Sequence, residues 1–236
     1  MAGVYRRFRT AGYTLPKYLL PWQGGTILST ILRTMFVENG FTSLTLVGNQ
    51  RDAAFRPQVE AILRAYQCDP AALLLIGDTA GQAETALIGV EELDRRLRPG
   101  DRRVIFHNID TILQGRDYAR IAADLETSAG FIDTFPANSP AYSYVECDEE
   151  GRVTRIAEKI VISNQATTGL YGFASMDQYR EAYAQGAWSA GENYISAIYQ
   201  AYLDQRLTIR AAGGGPQART IILGTPAEYE AERSAP

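Results

Sequence analysis

Histidine occurs once in this chain, at His107, and cysteine only twice, at Cys68 and Cys147. The cysteines lie far apart and in no metal-ligand spacing, so a structural zinc site fails on ligand count and no disulfide is expected. No apolar run approaches the ~20 residues that a membrane helix needs. Arg6, Arg7 and Arg9 make a basic start, but Gly12 to Pro16 follow in place of a hydrophobic segment, so nothing there reads as a signal peptide. There is no basic stripe either. The 23 Lys and Arg are interspersed with 27 Asp and Glu, for a net charge of -4, so no track for a phosphate backbone exists and nucleic acid is not an expected partner. Low-complexity tracts are absent, and 46% hydrophobic with 21% charged residues is a composition that builds a core and argues against disorder. The chain reads as cytoplasmic, with no membrane partner.

What is present is alternation. Residues 27–36 carry apolar side chains at helical spacing until Asn39-Gly40 stops them, and residues 44–48 form a buried-strand run. Residues 53–66 are helical, with Phe55, Val59, Ile62, Leu63 and Tyr66 on one side. A second strand spans 73–77, a helix 82–97 ends at Pro99-Gly100, and a third strand, 104–108, delivers Asp110 just past its end. This order predicts an α/β fold with a doubly wound, mostly parallel sheet and right-handed crossovers. Such sheets bind ligands beyond the carboxyl ends of their strands, where Thr79, Gly81 and Asp110 fall. The second half changes character. Strands at 130–135, 143–147, 153–159 and 168–174 suggest a partly antiparallel region. Helices at 176–185 and 193–205, strands at 207–211 and 219–223, and a helix at 226–232 complete the chain. A single domain over 1–236 is expected, with a first lobe over 1–127 and a smaller second lobe over 128–236.

Several segments carry chemistry. Ala2-Gly3-Val4-Tyr5-Arg6-Arg7-Phe8 and Leu15-Pro16-Lys17-Tyr18-Leu19-Leu20-Pro21 place a glycine, an arginine and a lysine where backbone N–H groups and two cations can share phosphate charge. Thr79-Ala80-Gly81-Gln82-Ala83-Glu84-Thr85 sets a glycine at a strand-to-helix turn, and Gln82 can offer both a donor and an acceptor to a nucleobase edge. Phe106-His107-Asn108-Ile109-Asp110 puts a carboxylate where such a fold would hold Mg²⁺ against phosphate oxygens. His107 reads as a strand-end side chain. Ile156-Ala157-Glu158-Lys159 pairs a carboxylate for hydroxyls with an ammonium for phosphate. Adjacent strand residues face opposite sides, so the pair needs a bend to reach one ligand.

Taken together and in order, these segments resemble the sugar-phosphate nucleotidyltransferases. The first two are similar to that family's G-x-G-x-R-[FL] and P-K-x-L-[LI]-P signatures. Gly12-Tyr13-Thr14-Leu15-Pro16-Lys17 and the segment from Ser163 through Ala166, Thr168-Gly169 and Tyr171 to Phe173 are similar to the capsule-biosynthesis branch. Leu223-Gly224-Thr225-Pro226 resembles the family's turn into its last helix.

The resemblance implies the nucleotide-diphospho-sugar transferase type of Rossmann-like fold, with a nucleotide-binding first lobe and an acceptor-binding second lobe. The implied reaction joins an NTP to a phosphorylated small molecule, a sugar 1-phosphate being the expected acceptor, and releases pyrophosphate. The implied product is a precursor of capsule or surface polysaccharide. Arg7, Lys17 and Asp110 would be catalytic, with Asp110 holding Mg²⁺. Ala2, Gly3, Gly81, Gln82 and Asn108 would bind the nucleotide. Glu158, Lys159, Thr168, Gly169 and Glu192 would bind the acceptor. Arg7, Lys17, Asp110 and Lys159 must then converge on one anionic ligand.

Three departures stand out. Tyr5 occupies the family's second loop glycine, and Ile222 occupies the position of its second metal-binding aspartate. The family loop also follows a central strand, so a first strand is expected to be missing from this numbering. A catalytically inert nucleotide-binding module and a glycosyltransferase are the competing readings. For the latter, Asn108-Ile109-Asp110 only approximates a D-x-D motif. Oligomeric state, homo-oligomer included, is left open.

Overall fold

The computed structural model describes residues 5–97, 100–186, 188 and 193–234. The first elements are α1 (Arg6–Thr10), β1 (Pro21–Trp22), β2 (Gly25–Thr26), α2 (Ile27–Leu32), β3 (Leu46–Asn49) and α3 (Arg56–Ala65). Then come β4 (Leu73–Ile76), α4 (Gln82–Arg96), β5 (Val104–His107), β6 (Thr111–Gln114), α5 (Tyr118–Thr127) and β7 (Gly130–Pro136). The chain continues through β8 (Tyr144–Cys147), β9 (Val153–Ala157), β10 (Gln165–Phe173), α6 (Met176–Gln185) and α7 (Ile195–Asp204). It closes with β11 (Ile209–Gly213), β12 (Arg219–Ile222) and α8 (Pro226–Arg233). No described helix is long and apolar enough to cross a membrane.

Two compact units interleave along the chain. One gathers the residues up to Asp78, Asn108–Gln114 and those from Arg219 onward; the other takes Thr79–His107 and Gly115–Ala218. The sequence reading instead divides the chain once, after residue 127.

In the first unit β3 and β4 run parallel, with Leu46 opposite Leu73, and β6 pairs antiparallel with β12. Thr26 caps α2 reciprocally. Its hydroxyl accepts from the Ser29 N–H at 3.0 Å, and the Ser29 hydroxyl accepts from the Thr26 N–H at 2.7 Å. Where the sequence suggested one helix over 27–36, α2 gives way to a widened π turn at Arg33–Glu38 that keeps Met35 buried and leaves Val37 outside. Residues 53–66 also divide. Pro57 fits only the first turn of an α-helix, so α3 begins at Arg56 and a 3-10 segment, Gln50–Phe55, precedes it. Tyr18, Leu19, Leu28, Leu32, Leu46, Val59, Leu63 and Leu73 form this unit's core.

The second unit is built on a six-stranded sheet in the order β11-β7-β10-β8-β9, with β5 also on β10. The α/β class and multi-strand sheet expected from the sequence are present. Strand direction is mixed: β11 runs parallel to β7, whereas β5, β7 and β8 are antiparallel to β10. Its core is aromatic. Tyr199, fully buried, stacks on Phe173 with ring centroids 4.7 Å apart and donates to the Phe131 and Gly172 carbonyls at 2.8 and 3.0 Å. Gly130 is the close neighbour that makes room. A Cβ there would stand 2.7 Å from Tyr199 Cε1, far inside van der Waals contact.

Candidate functional site

In the first unit, two segments distant in sequence meet. Asp110 lies between β5 and β6, and its carbonyl accepts from the Leu223 N–H at 2.7 Å, so the C-terminal strand fixes its backbone. Pro16 enters a 3-10 turn, Lys17–Leu19, closed by the Leu19 N–H donating to the Pro16 carbonyl at 2.8 Å. Tyr18 and Leu19 anchor that turn in the core. Lys17 is thereby aimed inward, and its Nζ donates to Asp110 Oδ2 at 2.6 Å. The two side chains are 15% and 28% exposed, so the pair is sheltered but open on one side. Burial pushes the Asp110 carboxyl up, but the charge and hydrogen bond of Lys17 outweigh it and hold the group below the ordinary carboxylate value.

Around this pair, Ile222 faces Thr111 across β12 and β6, in the position that the family resemblance reserves for a second carboxylate. Glu228 supplies another carboxylate near the same backbone. A Cβ on Gly224 would stand 3.6 Å from Asp110 Oδ2 and 3.5 Å from Glu228 Oε2. Arg7 is exposed on α1, whose buried Phe8 anchors the short helix, and no hydrogen bond or ion pair joins Arg7 to Lys17 or Asp110 among the described residues. Asn108 is half-buried on the approach to Asp110. Tyr5, in place of a glycine, nevertheless keeps a left-handed backbone, with φ 28°. Ala2 and Gly3 lie outside the described residues.

The second unit holds the other candidates. Gly81 has φ 151° and ψ -167°, a conformation essentially reserved for glycine, and it opens α4 so that Gln82 is the first helical residue. Asn193 brackets this turn: its N–H donates to the Ala80 carbonyl, and its carbonyl accepts from the Ala83 N–H, both at 2.8 Å. Glu158 follows β9 and is held by two hydroxyls, Ser143 and Ser196, both donating to its Oε2, the latter at 2.9 Å. The strand expected to run to residue 159 ends at Ala157, and Lys159 turns away with φ 54°. That is the bend the Glu158-Lys159 pair requires. The Lys159 ammonium rests 4.4 Å from the centroid of the Tyr194 ring and donates to its hydroxyl. Glu192 lies outside the described residues.

Thr168 and Gly169 sit in a break of the β10–β7 register. Thr167 faces Thr134 and Tyr171 faces Ile132, and Gly169 takes φ 88° between them. Both residues are buried. The Thr168 hydroxyl donates to Asp133 Oδ2 at 2.8 Å, and Asp133 in turn accepts from Arg116 Nε at 3.0 Å to each oxygen. Burial raises the Asp133 carboxyl despite the arginine and the threonine. The bulge connects to Glu158 through one neighbour: the Thr167 N–H donates to the Ser143 carbonyl at 2.8 Å.

Sequence reading thus named Lys17 and Asp110, each from its own motif, and stated that the Glu158-Lys159 pair would need a bend, although it ran the strand through Lys159. It missed Asp52, Arg116, Asp133 and the role of Ser196. For Asp133 a signal existed, an isolated charge inside the apolar strand Gly130–Pro136. Arg116 and Asp52 gave none.

No family model matches the chain, and no curated protein matches it. Solved structures do. Over 98% of its length the chain is similar to the nucleoside-diphosphate-sugar pyrophosphorylase from Vibrio cholerae RC9, at 28% identity and a TM-score of 0.79, spanning 96% of that protein. It also resembles the inositol-1-phosphate CTP transferase from T. maritima, at 15% identity and a TM-score of 0.74, with 96% and 88% of the two chains covered. A candidate glucose-1-phosphate thymidylyltransferase from Bacillus anthracis, solved in complex with a sucrose, matches at 15% identity and a TM-score of 0.75 over 98% and 90% of the chains. The fold is therefore that of nucleotidyltransferases, and these neighbours support the family resemblance carried by the motifs.

Proposed function

We propose that this chain is a nucleotidyltransferase that transfers the nucleotidyl group of an NTP to the phosphate of a phosphorylated small molecule, most simply a sugar 1-phosphate. The observation that carries the reading is the sheltered Lys17–Asp110 pair, formed by residues 93 positions apart. In the transfer, an acceptor phosphate oxygen attacks the α-phosphorus, the bond from that phosphorus to the bridging oxygen breaks, and pyrophosphate leaves. The nucleophile is already an anion, so no general base is required. The sole histidine, paired opposite Leu170 at the end of β5, has no assigned step. Lys17 and Arg7 are read as neutralising phosphate charge on the nucleotide, and Lys159 as a cation for the acceptor phosphate. Glu158 receives acceptor hydroxyls, while Gly81 and Gln82 seat the base.

Among the described residues no three metal-ligating side chains cluster, so Mg²⁺ would rest on the Asp110 carboxylate together with substrate phosphates. When bound, it would shield the phosphate charge. The similarity of the Gly12–Lys17 and Ser163–Phe173 segments to the capsule branch supports a role in making activated precursors of surface polysaccharide. Ile222 beside Asp110 favours one second reading, a binding module without turnover.

The test pairs each of the four NTPs with hexose 1-phosphates and with phosphocholine, with Mg²⁺ present, and reads pyrophosphate. Turnover is expected with at least one pair, and Asp110→Ala should abolish it while circular dichroism stays native. Nucleotide binding without pyrophosphate under every acceptor would replace the enzyme with the binding module.

A further inference from the structure

Asp52 is a buried carboxylate that the proposed chemistry does not use. It is 2% exposed and sits in the 3-10 segment Gln50–Phe55, whose first turn is set by the Asn49 side chain accepting from the Arg51 N–H at 3.0 Å. Burying a carboxylate costs several kcal/mol unless hydrogen bonds or cations answer it, on the order of the penalties measured for buried charges. Here the answer is two phenols on one oxygen. Tyr5 donates to Asp52 Oδ2, and Tyr18 donates to the same atom at 3.0 Å. Arg9 Nη2 stands 3.8 Å from Oδ1, and the same guanidinium lies 5.3 Å from the Tyr5 ring centroid. The two phenol rings meet edge to face, 6.5 Å apart. Burial, with the charge of Asp52 behind it, raises both phenols, so both remain donors at neutral pH.

The placement along the chain gives this cluster its meaning. Tyr5 is the residue before α1 and two before Arg7; Tyr18 is the neighbour of Lys17 in the 3-10 turn. One carboxylate therefore ties together the two short segments that carry the two cations. Each segment is too short to hold its own geometry, since a single turn of helix has an unfavourable nucleus and few internal hydrogen bonds. Tyr5 also sits at φ 28° and ψ 47°, a left-handed conformation that costs a tyrosine roughly 1–2 kcal/mol and that a glycine would adopt freely. The Tyr5 carbonyl accepts from the Phe8 and Arg9 N–H groups at 3.0 and 3.3 Å, and its hydroxyl donates to Asp52, so backbone and side chain are both tied down.

We propose that Asp52, Tyr5 and Tyr18 are positioning residues for the nucleotide: they fix Arg7 and Lys17 relative to each other so that both cations meet the triphosphate. This rests on the reading of Arg7 and Lys17 as phosphate-binding. It predicts that the three residues act on one substrate only. Tyr5→Phe removes a hydroxyl and keeps the ring; Asp52→Asn removes the charge.

Full-length wild type and the variants Tyr5→Phe, Tyr18→Phe and Asp52→Asn are compared by thermal melting, by calorimetric titration with each NTP, and by steady-state kinetics with both substrates varied. Loss of a hydrogen bond to a charged group should weaken NTP binding about tenfold in Tyr5→Phe. The acceptor KM should move less than about twofold, because the charge-assisted bond lost touches only the nucleotide-side segments. Should Asp52→Asn fail to fold, the two phenylalanine variants carry the test. An NTP affinity indifferent to loss of the Tyr5 hydroxyl, or NTP and acceptor KM values rising in parallel, would overturn the assignment while leaving the proposed reaction standing. A wild type that neither binds NTP nor releases pyrophosphate would overturn both.

Discussion

The Lys17–Asp110 pair can be weighed without any substrate. Its two side chains are 15% and 28% exposed and their bond is 2.6 Å long, so it lies between two measured regimes. Exposed pairs couple by about 0.2–1 kcal/mol, and close desolvated charge pairs by about 1.5–7 kcal/mol in double-mutant cycles. A coupling of about 2 kcal/mol is expected here, by interpolation between those limits. The assay is a double-mutant cycle of wild type, Lys17→Met, Asp110→Asn and the double variant, each unfolded in urea at neutral pH and again at about pH 2. The sign of the pH effect follows from the direction of the shift. Lys17 holds the Asp110 carboxyl below its ordinary value, so the stability it brings is complete above the ordinary carboxylate range and disappears as pH falls through the lowered value. The coupling should therefore be near its full size at neutral pH and smaller in acid, as the carboxyl begins to take up its proton. Single effects that simply add at neutral pH, or a coupling unchanged in acid, would refute the reasoning.

Two further outcomes are expected in the second unit. Tyr199→Phe removes the buried hydroxyl that donates to the Phe131 and Gly172 carbonyls and should lower the unfolding free energy by about 1–3 kcal/mol in denaturant titration. Asp133→Asn removes the buried charge that faces the Arg116 guanidinium and should cost about 3–5 kcal/mol; in the double variant with Arg116→Met the two losses should be less than additive in thermal melts.

Local signals made much of this fold legible. The strand at β4 and the helix α4 were readable to within a residue because glycine and proline punctuate them: Gly77 and Gly81 on one side, Pro99-Gly100 on the other. β6 escaped. It is four residues long, and its partner β12 begins more than a hundred residues later, so its stability is non-local and leaves little trace in its own composition. Strand direction was equally hidden. β5 looks like the third strand of a parallel series, yet its register is with β10, chosen by the packing of Phe106 against Phe173 and Tyr179. At the candidate site, Lys17 and Asp110 were visible because each lies in a motif with its own chemical logic. Asp52 was not, because a carboxylate buried under two phenols looks in sequence like any surface aspartate.

The dependence of Asp110 on β12 bears on how the chain is made. During synthesis Lys17 and Asp110 leave the ribosome long before Leu223, whose amide grips the Asp110 carbonyl, and before Tyr229, whose hydroxyl ties α8 to Pro21. Until those last residues emerge, β6 has an unpaired edge and the nascent polypeptide carries a half-sheltered ion pair with no lid of backbone around it. Ribosome-stalled intermediates in which Arg219 has not yet emerged should thus be the most chaperone-dependent of the series, and acquisition of the native centre should coincide with emergence of β12.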